Sequence, residues 1–183
     1  MKQYRKLFLI AVLILIIPLV LIACDSDDDK KDDSDNTSGG NDSAVGTELN
    51  ESIESGALKA QYPSSWTANE AMGTITLTDT SNPEAAVSMS IMTSPLSGVS
   101  AKQTFETMAT GLGADASSME TITVGGNEAY RLDYAAVTGG DGIMIGFESN
   151  DTLILLTAAG AAGKLADYET TILVIAEAIE YTP

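Results

Sequence analysis

The side chains that could do chemistry in this chain of 183 residues are one cysteine and 26 acidic residues, because the sequence contains no histidine. Without imidazole the chain lacks the commonest general base and the commonest transition-metal ligand. The acidic residues that lie close together along the chain are Glu148 with Asp151, Asp167 with Glu169, and Asp133, which alternates with Arg131. A glycosidase needs two carboxylates in a cleft, usually with aromatic residues that hold the sugar. Aromatic residues are only 5% of the chain, so the composition favours a protein that is not an enzyme.

Two other motifs could carry chemistry, a serine nucleophile and a phosphate-binding loop. The sequence has no Gly-x-Ser-x-Gly or Ser-x-x-Lys motif, and Ser100-Ala101-Lys102 has the wrong spacing for a serine hydrolase. Gly160-Ala161-Ala162-Gly163 could present backbone amides to an anion, but it lacks the Lys-Ser/Thr ending of a phosphate loop. We interpret it as a strand-to-helix connection, and we expect neither a metal nor a cofactor.

The single cysteine, Cys24, lies where the sequence changes from hydrocarbon to dense negative charge. Three basic residues near the start precede an uncharged apolar run from Leu7 to Ala23, as in an export signal. The run has 17 residues, whereas a spanning helix needs about 20, and Pro18 would disturb such a helix. The other interpretation is an uncleaved signal anchor in which Cys24 is simply a small apolar residue.

The order Leu21-Ile22-Ala23-Cys24 resembles the lipobox of secreted bacterial lipoproteins. This resemblance implies diacylglycerol transfer to the Cys24 thiol, cleavage between Ala23 and Cys24, and often acylation of the new amine by a chain such as palmitate. Two or three acyl chains hold a domain at a bilayer, since each buried CH₂ adds about 0.8 kcal/mol. We therefore expect residues 1–23 to be a signal peptide and the protein to be lipid-anchored on the extracytoplasmic face of a membrane.

The segment that follows Cys24 is predicted to be a disordered acidic linker, residues 24–46. From Asp25 to Ser43 it contains eight Asp, two Lys and no apolar side chain, so it cannot bury enough surface to offset its ordering entropy. Calcium binding by these carboxylates stays open as an alternative, although the segment lacks the Gly and the closing Glu of an EF-hand loop. Cleavage after Ala23 would remove Lys2, Arg5 and Lys6 and move the formal net charge from −17 to −20, which argues against nucleic-acid binding.

Residues 47–183 are long enough for one domain. Segments that alternate with period two predict half-buried strands, and they are Thr74 to Thr78, Val87 to Ile91 and Tyr130 to Tyr134. Gly125-Gly126-Asn127 predicts a hairpin between a strand at Thr121 to Val124 and the Tyr130 strand. Ile143 to Phe147 and Leu153 to Leu156 are apolar on both faces, which is typical of central strands that are covered on each side.

Two helices could supply that cover. Ser100 is a predicted N-cap with Gln103 three residues on, and an apolar stripe runs from Ala101 to Leu112 before Gly113 ends the helix. A second apolar stripe with steps of three and four runs from Leu165 to Ile179. Its β-branched run could also form a strand, but the spacing favours a helix in which Asp167 and Glu169 occupy the first turn. Because strands and helices do not alternate strictly, we predict an antiparallel α+β sandwich.

Three stretches resemble the PsbP-like family, which includes the DcrB-like bacterial lipoproteins. They are Ala57 to Trp66, which ends in Tyr-Pro-x-x-Trp, Gly126 to Tyr134, with its Gly-x-x-Ala start, and the closing helix from Tyr168 to Ile179. The resemblance implies an antiparallel sheet between helices in an α/β/α sandwich and a non-catalytic role in binding or assembly. Tyr62 and Pro63 are expected to fix a turn and Trp66 to pack on the core, with ligand stacking by Trp66 as the weaker alternative.

Three functions remain open from the sequence. The first is a lipid-anchored binding or accessory module that meets another envelope protein. The second is a carboxylate-dependent enzyme that acts on an envelope polymer. The third is a carrier of a small apolar ligand between helix and sheet, suggested by Met89, Met92, Met108 and Met144, although methionines usually fill cores.

Overall fold

The computed structural model describes residues 48–136 and 139–183. The signal segment 1–23, the lipidation candidate Cys24 and the acidic linker to residue 46 lie outside the described residues. The strands are β1 Glu51–Ser55, β2 Leu58–Tyr62, β3 Trp66–Ala71, β4 Thr74–Asp79, β5 Ser88–Pro95, β6 Glu120–Val124, β7 Asn127–Ala135, β8 Asp141–Ser149, β9 Thr152–Gly160 and β10 Glu180–Tyr181. The helices are α1 Ala101–Gly111 and α2 Glu169–Glu177, with 3-10 turns at Ala116–Ser118 and Leu165–Tyr168.

The strands form two antiparallel sheets. The main sheet has seven strands in the order β3-β4-β5-β9-β8-β7-β6, and the small sheet has three in the order β1-β2-β10. Strands β8 and β9 lie inside the main sheet and are almost wholly buried, which confirms the interpretation of their two apolar faces. Consecutive strands pair mostly as hairpins, whereas β5 pairs with β9 after the chain has made α1 and the β6–β7–β8 meander.

Each face of the main sheet has its own core. On the first face, side chains such as Ile75, Ile91 and Leu156 pack against α2 and the small sheet. On the second face, Leu132, Met144 and Leu155 pack beneath α1. The fold is therefore an antiparallel α+β sandwich with helices on both faces, as the sequence predicts.

Helix α1 shows how the sequence positions a covering element. Ser100 is its N-cap, and its Oγ accepts a hydrogen bond from the Gln103 amide at 3.2 Å, as predicted. Phe105 is fully buried and lies over Gly146 of β8, where an added Cβ would come within 2.5 Å of its ring. The glycine thus makes room for the aromatic ring that seats α1 on the sheet.

The predicted hairpin after β6 is also present. Gly125 and Gly126 have φ angles of 56° and 83°, so both central residues are left-handed, as a two-residue turn of type I′ requires. Asn127 is already the first residue of β7.

The closing helix differs from the prediction at its start. The chain first makes the 3-10 turn Leu165–Tyr168, and α2 begins at Glu169, so Asp167 lies before the helix and only Glu169 is in its first turn. The β-branched run inside α2 is helical, as expected. Among residues 48–136 and 139–183, no helix is both long enough and apolar enough to cross a bilayer.

Candidate functional site

Five chain reversals lie together at one end of the main sheet, which we call the turn end. They are the β1–β2 turn at Gly56, the β3–β4 turn at Met72–Gly73, the loop from Leu96 to Ser100, the β6–β7 turn and the β8–β9 turn at Asn150–Asp151. A hydrogen bond of 3.0 Å from the Leu96 amide to the Asp151 carbonyl joins two of these reversals. The turn end therefore brings together distant parts of the chain along one end of the sheet, with the β3–β4 and β6–β7 turns at its two edges.

A cleft of about 350 Å³ opens at the turn end between the two sheets, at the lower end of the size range of ligand sites, ~300–1,000 Å³. Leu58, which is 2% exposed, gives it an apolar base. Polar side chains from both sheets reach it: Ser55 of β1, Glu70 of β3, Thr93 of β5 and Tyr181 of β10. The main chain at Gly56, Ala57 and Gly73 completes the lining.

Glu70 is the only charged residue in the lining of this cleft. One oxygen of its carboxylate, Oε1, accepts hydrogen bonds from Ser55 Oγ and from the Gly73 amide, each at 3.1 Å. These two bonds tie the small sheet to the β3–β4 turn and fix the carboxylate at the cleft wall. Among the described residues no cation forms an ion pair with Glu70.

Sequence reasoning missed Glu70 because it missed β3. The segment Trp66–Ala71 contains Ala, Asn and Glu, which are depleted in strands, and it lies at an edge of the main sheet. The edge position leaves most of its residues exposed, so no clear alternation marks it. The short strands β1 and β10 were missed for the same reason.

Met72 forms the β3–β4 turn together with Gly73, which is part of the cleft lining. Its side chain is 81% exposed, the largest exposure of any large apolar side chain in the described residues. Its backbone φ is 54°, a left-handed conformation that costs a residue other than Gly, Asn or Asp about 1 kcal/mol. The methionine is therefore unfavourable at this position both in its conformation and in its exposure.

Trp66, the weak candidate for ligand stacking, lies in the core. It is 3% exposed, and its ring packs at a tilt against Tyr168, with centroids 6.2 Å apart. Its amide donates to the Pro63 carbonyl at 2.9 Å, so Pro63 and Trp66 form the expected turn. The stretch Ala57 to Trp66 contains β2 and this turn, and Trp66 itself begins β3. A ligand that stacks on it from solvent would need an open ring face, and this tryptophan has almost none.

Beneath Trp66 a buried carboxylate pairs with a buried hydroxyl. Tyr168 Oη donates to Asp79 Oδ2 at 2.6 Å, and the two residues are 1% and 3% exposed. Ser81 donates to Asp79 Oδ1 from its amide at 2.8 Å and from its Oγ at 2.6 Å. Burial raises the pKa of Asp79, but the hydrogen bonds from Ser81 and Tyr168 outweigh it and leave the pKa below 3.8. Burial, together with the bond to Asp79, raises the pKa of Tyr168 to about 12.

Arg131, Asp133 and Glu169 meet on the first face of the main sheet. Arg131 Nε donates to Asp133 Oδ1 at 2.9 Å, and Arg131 Nη1 pairs with Glu169 at the start of α2. Hydrogen bonding to Asp133 is the main cause that raises the pKa of Arg131, with Glu169 adding to it. Arg131 and Asp133 of β7 therefore face α2, and the ion pair with Glu169 fastens α2 to β7.

The other acidic candidates lie at opposite ends of the sheet. Glu148 is the last residue but one of β8 and Asp151 lies in the next turn, both exposed at the turn end. Asp167 follows the far end of β9, a strand of nine residues that spans about 30 Å. In residues 48–136 and 139–183, no three His, Cys, Asp or Glu side chains are grouped so that they could hold a metal ion.

The loop Gly160 to Gly163 already uses its backbone amides within the domain. The Gly163 amide donates to Asp141 Oδ2 at 2.6 Å, and the Ala161 amide donates to the Ala85 carbonyl at 2.8 Å. An internal carboxylate therefore occupies the place that an external anion would take.

The methionines that suggested a carrier fit core packing. Met89 and Met144 are fully buried, on opposite faces of the main sheet. Met92 and Met108 are partly buried and pack on the cluster beneath α1.

Comparison with known proteins supports the fold. No protein-family model matches the sequence, and no curated protein is detectably similar. Among solved structures, the cyanobacterial PsbP, CyanoP, of Synechocystis sp. PCC 6803 is similar with a TM-score of 0.52 and 15% sequence identity, over 78% of this chain and 98% of that one. A protein from Bacteroides thetaiotaomicron is similar over 72% of this chain and 47% of its own, with 12% identity and a TM-score of 0.48, too low to support an inference. The described chain thus has a PsbP-like fold.

Proposed function

We propose that the protein is a lipid-anchored extracytoplasmic lipoprotein whose PsbP-like domain is a non-catalytic binding or accessory module. The observation that carries the proposal is the position of the one cysteine, directly after Leu21-Ile22-Ala23 and directly before an Asp-rich segment. Its partner on this proposal is another protein of the bacterial envelope, as expected for a DcrB-like lipoprotein.

The anchor part of the proposal rests on the chemistry of the N-terminal sequence. The run from Leu7 to Ala23 has 17 apolar or uncharged residues, enough for an export signal and few for a permanent span. A thioether-linked lipid at Cys24 would give stable attachment, since two or three acyl chains suffice. The acidic residues after Cys24 would then space the domain from the bilayer.

The binding part of the proposal is supported by the cleft. It is open, it has an apolar base and several polar groups that converge on it, and this is the usual construction of a binding site. The described chain begins at Glu48, and Asn50 accepts a hydrogen bond from the Ser64 amide at 2.8 Å, at the end of β1 away from the cleft. The described chain thus enters the domain at the end of β1 opposite the cleft.

The non-catalytic part of the proposal is supported by where the acidic residues lie. Asp133 and Glu169 are engaged by Arg131, and Asp167 lies at the far end of the sheet. Glu148 and Asp151 lie at the same end as each other, but both are exposed and neither lines the cleft. A two-carboxylate mechanism needs its groups within roughly 5–10 Å of each other across a substrate. Alanine at Glu148, Asp151 or Asp167 should leave partner binding intact; loss of a measured turnover in a folded variant would favour the enzyme alternative.

The anchor is tested by the intact mass and the detergent partitioning of the native full chain from a bacterial host. We expect a polypeptide that starts at Cys24, carries added hydrocarbon and enters the detergent phase. Cys24→Ala should lack the added hydrocarbon and should retain the uncleaved segment 1–23, which the intact mass shows, whereas the matched control Ser26→Ala should behave like the wild type. A native chain that retains Met1 and carries no added hydrocarbon would refute the anchor.

A further inference from the structure

The cleft at the turn end has the chemistry of a site for a positively charged side chain. Glu70 supplies one negative charge, and only its Oε1 is used within the described residues, by Ser55 and Gly73. The Oε2 atom of the same carboxylate accepts no hydrogen bond from the described residues, so it is free for a ligand that donates. An ammonium or guanidinium group donates to a carboxylate more strongly than a neutral group does.

The shape of the cleft suits the stem of such a side chain. Leu58 at the base is apolar, and Tyr181 of β10 contributes a half-buried ring to the lining. Lysine and arginine carry an aliphatic stem that packs on apolar surface while the charged head stays near polar groups. The hydroxyls of Ser55 and Thr93 lie in the same lining and add acceptors around Glu70.

The charge of the domain favours a cationic occupant. Residues 48–183 contain 18 acidic residues and four basic ones, and in the described part Lys59 and Arg131 are engaged in ion pairs with carboxylates of the domain itself. The field outside an acidic protein attracts cationic partners and repels anionic ones.

Met72 indicates that the occupant is part of a macromolecule and not a free amine. Met72 directly precedes Gly73 of the cleft lining and is 81% exposed, and its φ of 54° would suit Asn or Gly better. Nothing inside the domain compensates for either cost. Apolar surface on a partner that covered Met72 while a charged side chain entered the cleft would offset the cost of its exposure.

We propose that the cleft binds a lysine or arginine side chain of a protein partner, and that apolar residues next to that side chain cover Met72. This inference rests on the binding-module function proposed above, and it names the site and the chemistry of the partner. A basic residue flanked by apolar residues in an accessible segment is the feature that the partner must present.

The test is a titration of the full chain, in detergent, with the peptide acetyl-Leu-Lys-Leu-amide, followed by the backbone amide signals in NMR spectra. We expect saturable shifts at Ser55, Gly56, Leu58, Gly73 and Thr93. The same peptide with norleucine in place of lysine keeps the apolar stem but lacks the charge, and it should shift these signals little. Absence of shifts at the cleft, or equal shifts with the norleucine peptide, would overturn the proposal.

Two variants locate the binding. Glu70→Gln can still accept the bonds from Ser55 and Gly73 and should weaken the lysine peptide roughly fivefold, as for loss of a partly exposed ion pair. Glu54→Gln is the matched control, since it removes the same charge from an exposed position of β1 outside the cleft lining, and it should change the affinity less than twofold. An equal loss of peptide affinity in Glu70→Gln and Glu54→Gln would mean that the peptide is attracted to the acidic surface in general, and it would refute a specific site at the cleft.

Met72→Asn tests whether apolar residues of the partner cover Met72. Its stability and its peptide affinity are expected to change in opposite directions. Asparagine adopts the left-handed conformation readily, so the thermal midpoint should rise, while peptide affinity should fall about threefold because apolar cover is lost. Unchanged affinity would overturn the role of Met72. The peptide titration and the test of the lipid anchor are independent of each other. If the peptide does not bind the cleft, the lipid anchor can still be shown by the intact mass. If the chain carries no lipid, peptide binding at the cleft can still be shown by the NMR titration.

Discussion

Replacement of Tyr168 by phenylalanine tests how the core of this domain tolerates a buried carboxylate. The substitution keeps the ring against Trp66 and removes only the hydroxyl that donates to Asp79 at 2.6 Å. Asp79 Oδ2 would then face the core without this donor, in a residue that is 3% exposed. Loss of a hydrogen bond to a buried charged group costs about 1.5–3 kcal/mol, a large part of the roughly 5–15 kcal/mol that stabilises a typical domain.

The pH dependence of this loss has a definite sign at each end of the scale. The pKa of Asp79 is lowered in the folded protein, so its stabilisation is present above the unfolded pKa of about 3.9 and is lost as the pH falls through the lower folded value. The pKa of Tyr168 is raised to about 12, so the wild type loses stability as the pH rises from about 10 to 12. That alkaline loss, of about 2–3 kcal/mol for two pKa units, should be missing in Tyr168→Phe.

The assay is urea unfolding of the full chain, followed by the fluorescence of Trp66, the one tryptophan in the sequence. The difference in unfolding free energy between wild type and Tyr168→Phe should be largest near neutral pH. It should shrink as the pH falls below the unfolded pKa of Asp79 and as the pH rises toward the raised pKa of Tyr168. Tyr62→Phe is the matched control, because Tyr62 is only half-buried, and it should cost less than about 0.5 kcal/mol. A Tyr168→Phe difference below about 0.5 kcal/mol at pH 7, or one that does not vary with pH, would refute the reasoning.

Three further substitutions follow from contacts elsewhere in the fold and are measured by the same unfolding assay. Gly146→Ala would place a Cβ within 2.5 Å of the Phe105 ring and should cost about 1–3 kcal/mol by overpacking, whereas Gly111→Ala adds a Cβ in open space and should be neutral or slightly stabilising. Arg131→Met leaves two carboxylates without their cation and should cost about 1–2 kcal/mol, less at high salt. Ser97→Gly relieves a φ of 51° and should stabilise the domain by up to about 1 kcal/mol.

Each of these three predictions can be contradicted by a specific result. If Gly146→Ala and Gly111→Ala change the unfolding free energy equally, Phe105 can move away from β8 to make room for the added Cβ. The control for Arg131→Met is Lys59→Met, because the ion pair between Lys59 and Glu180 is well exposed and its loss should cost less than about 0.5 kcal/mol. If Arg131→Met costs no more than this control, the ion pairs of Arg131 with Asp133 and Glu169 do not stabilise the domain. A destabilised Ser97→Gly variant would show that the serine side chain supports the turn.

The parts of the fold that the sequence predicted are those that neighbouring residues specify. The Gly125-Gly126 turn requires left-handed backbone at two successive positions, and only glycine adopts it freely. The cap at Ser100 is a contact across three residues. Strands β8 and β9 were recognised because unbroken apolar runs predict cover on both faces, and the seven-stranded sheet buries them in this way.

The parts that were missed depend on partners far away along the chain. Strand β3 has weak strand propensity and exists because β4 pairs with it from Trp66 to Ala71. The 3-10 turn before α2 places Tyr168 where it reaches Asp79, 89 residues earlier. No local pattern indicates either pairing, because propensity and periodicity contain no information about which distant segment a side chain will meet.

The sequence by itself determined which reactive groups the protein has and where its charge lies, since both follow from residue types: no imidazole, one thiol beside an apolar run, and a strong excess of carboxylates. It also determined the class of the fold through local turns, caps and apolar periods. Only the tertiary structure decided that Asp133 and Glu169 share Arg131, and that Ser55, Glu70, Thr93 and Tyr181 line one cleft. A cleft between two sheets exists only after strands from both ends of the chain have packed, so its residues have no common spacing in the sequence.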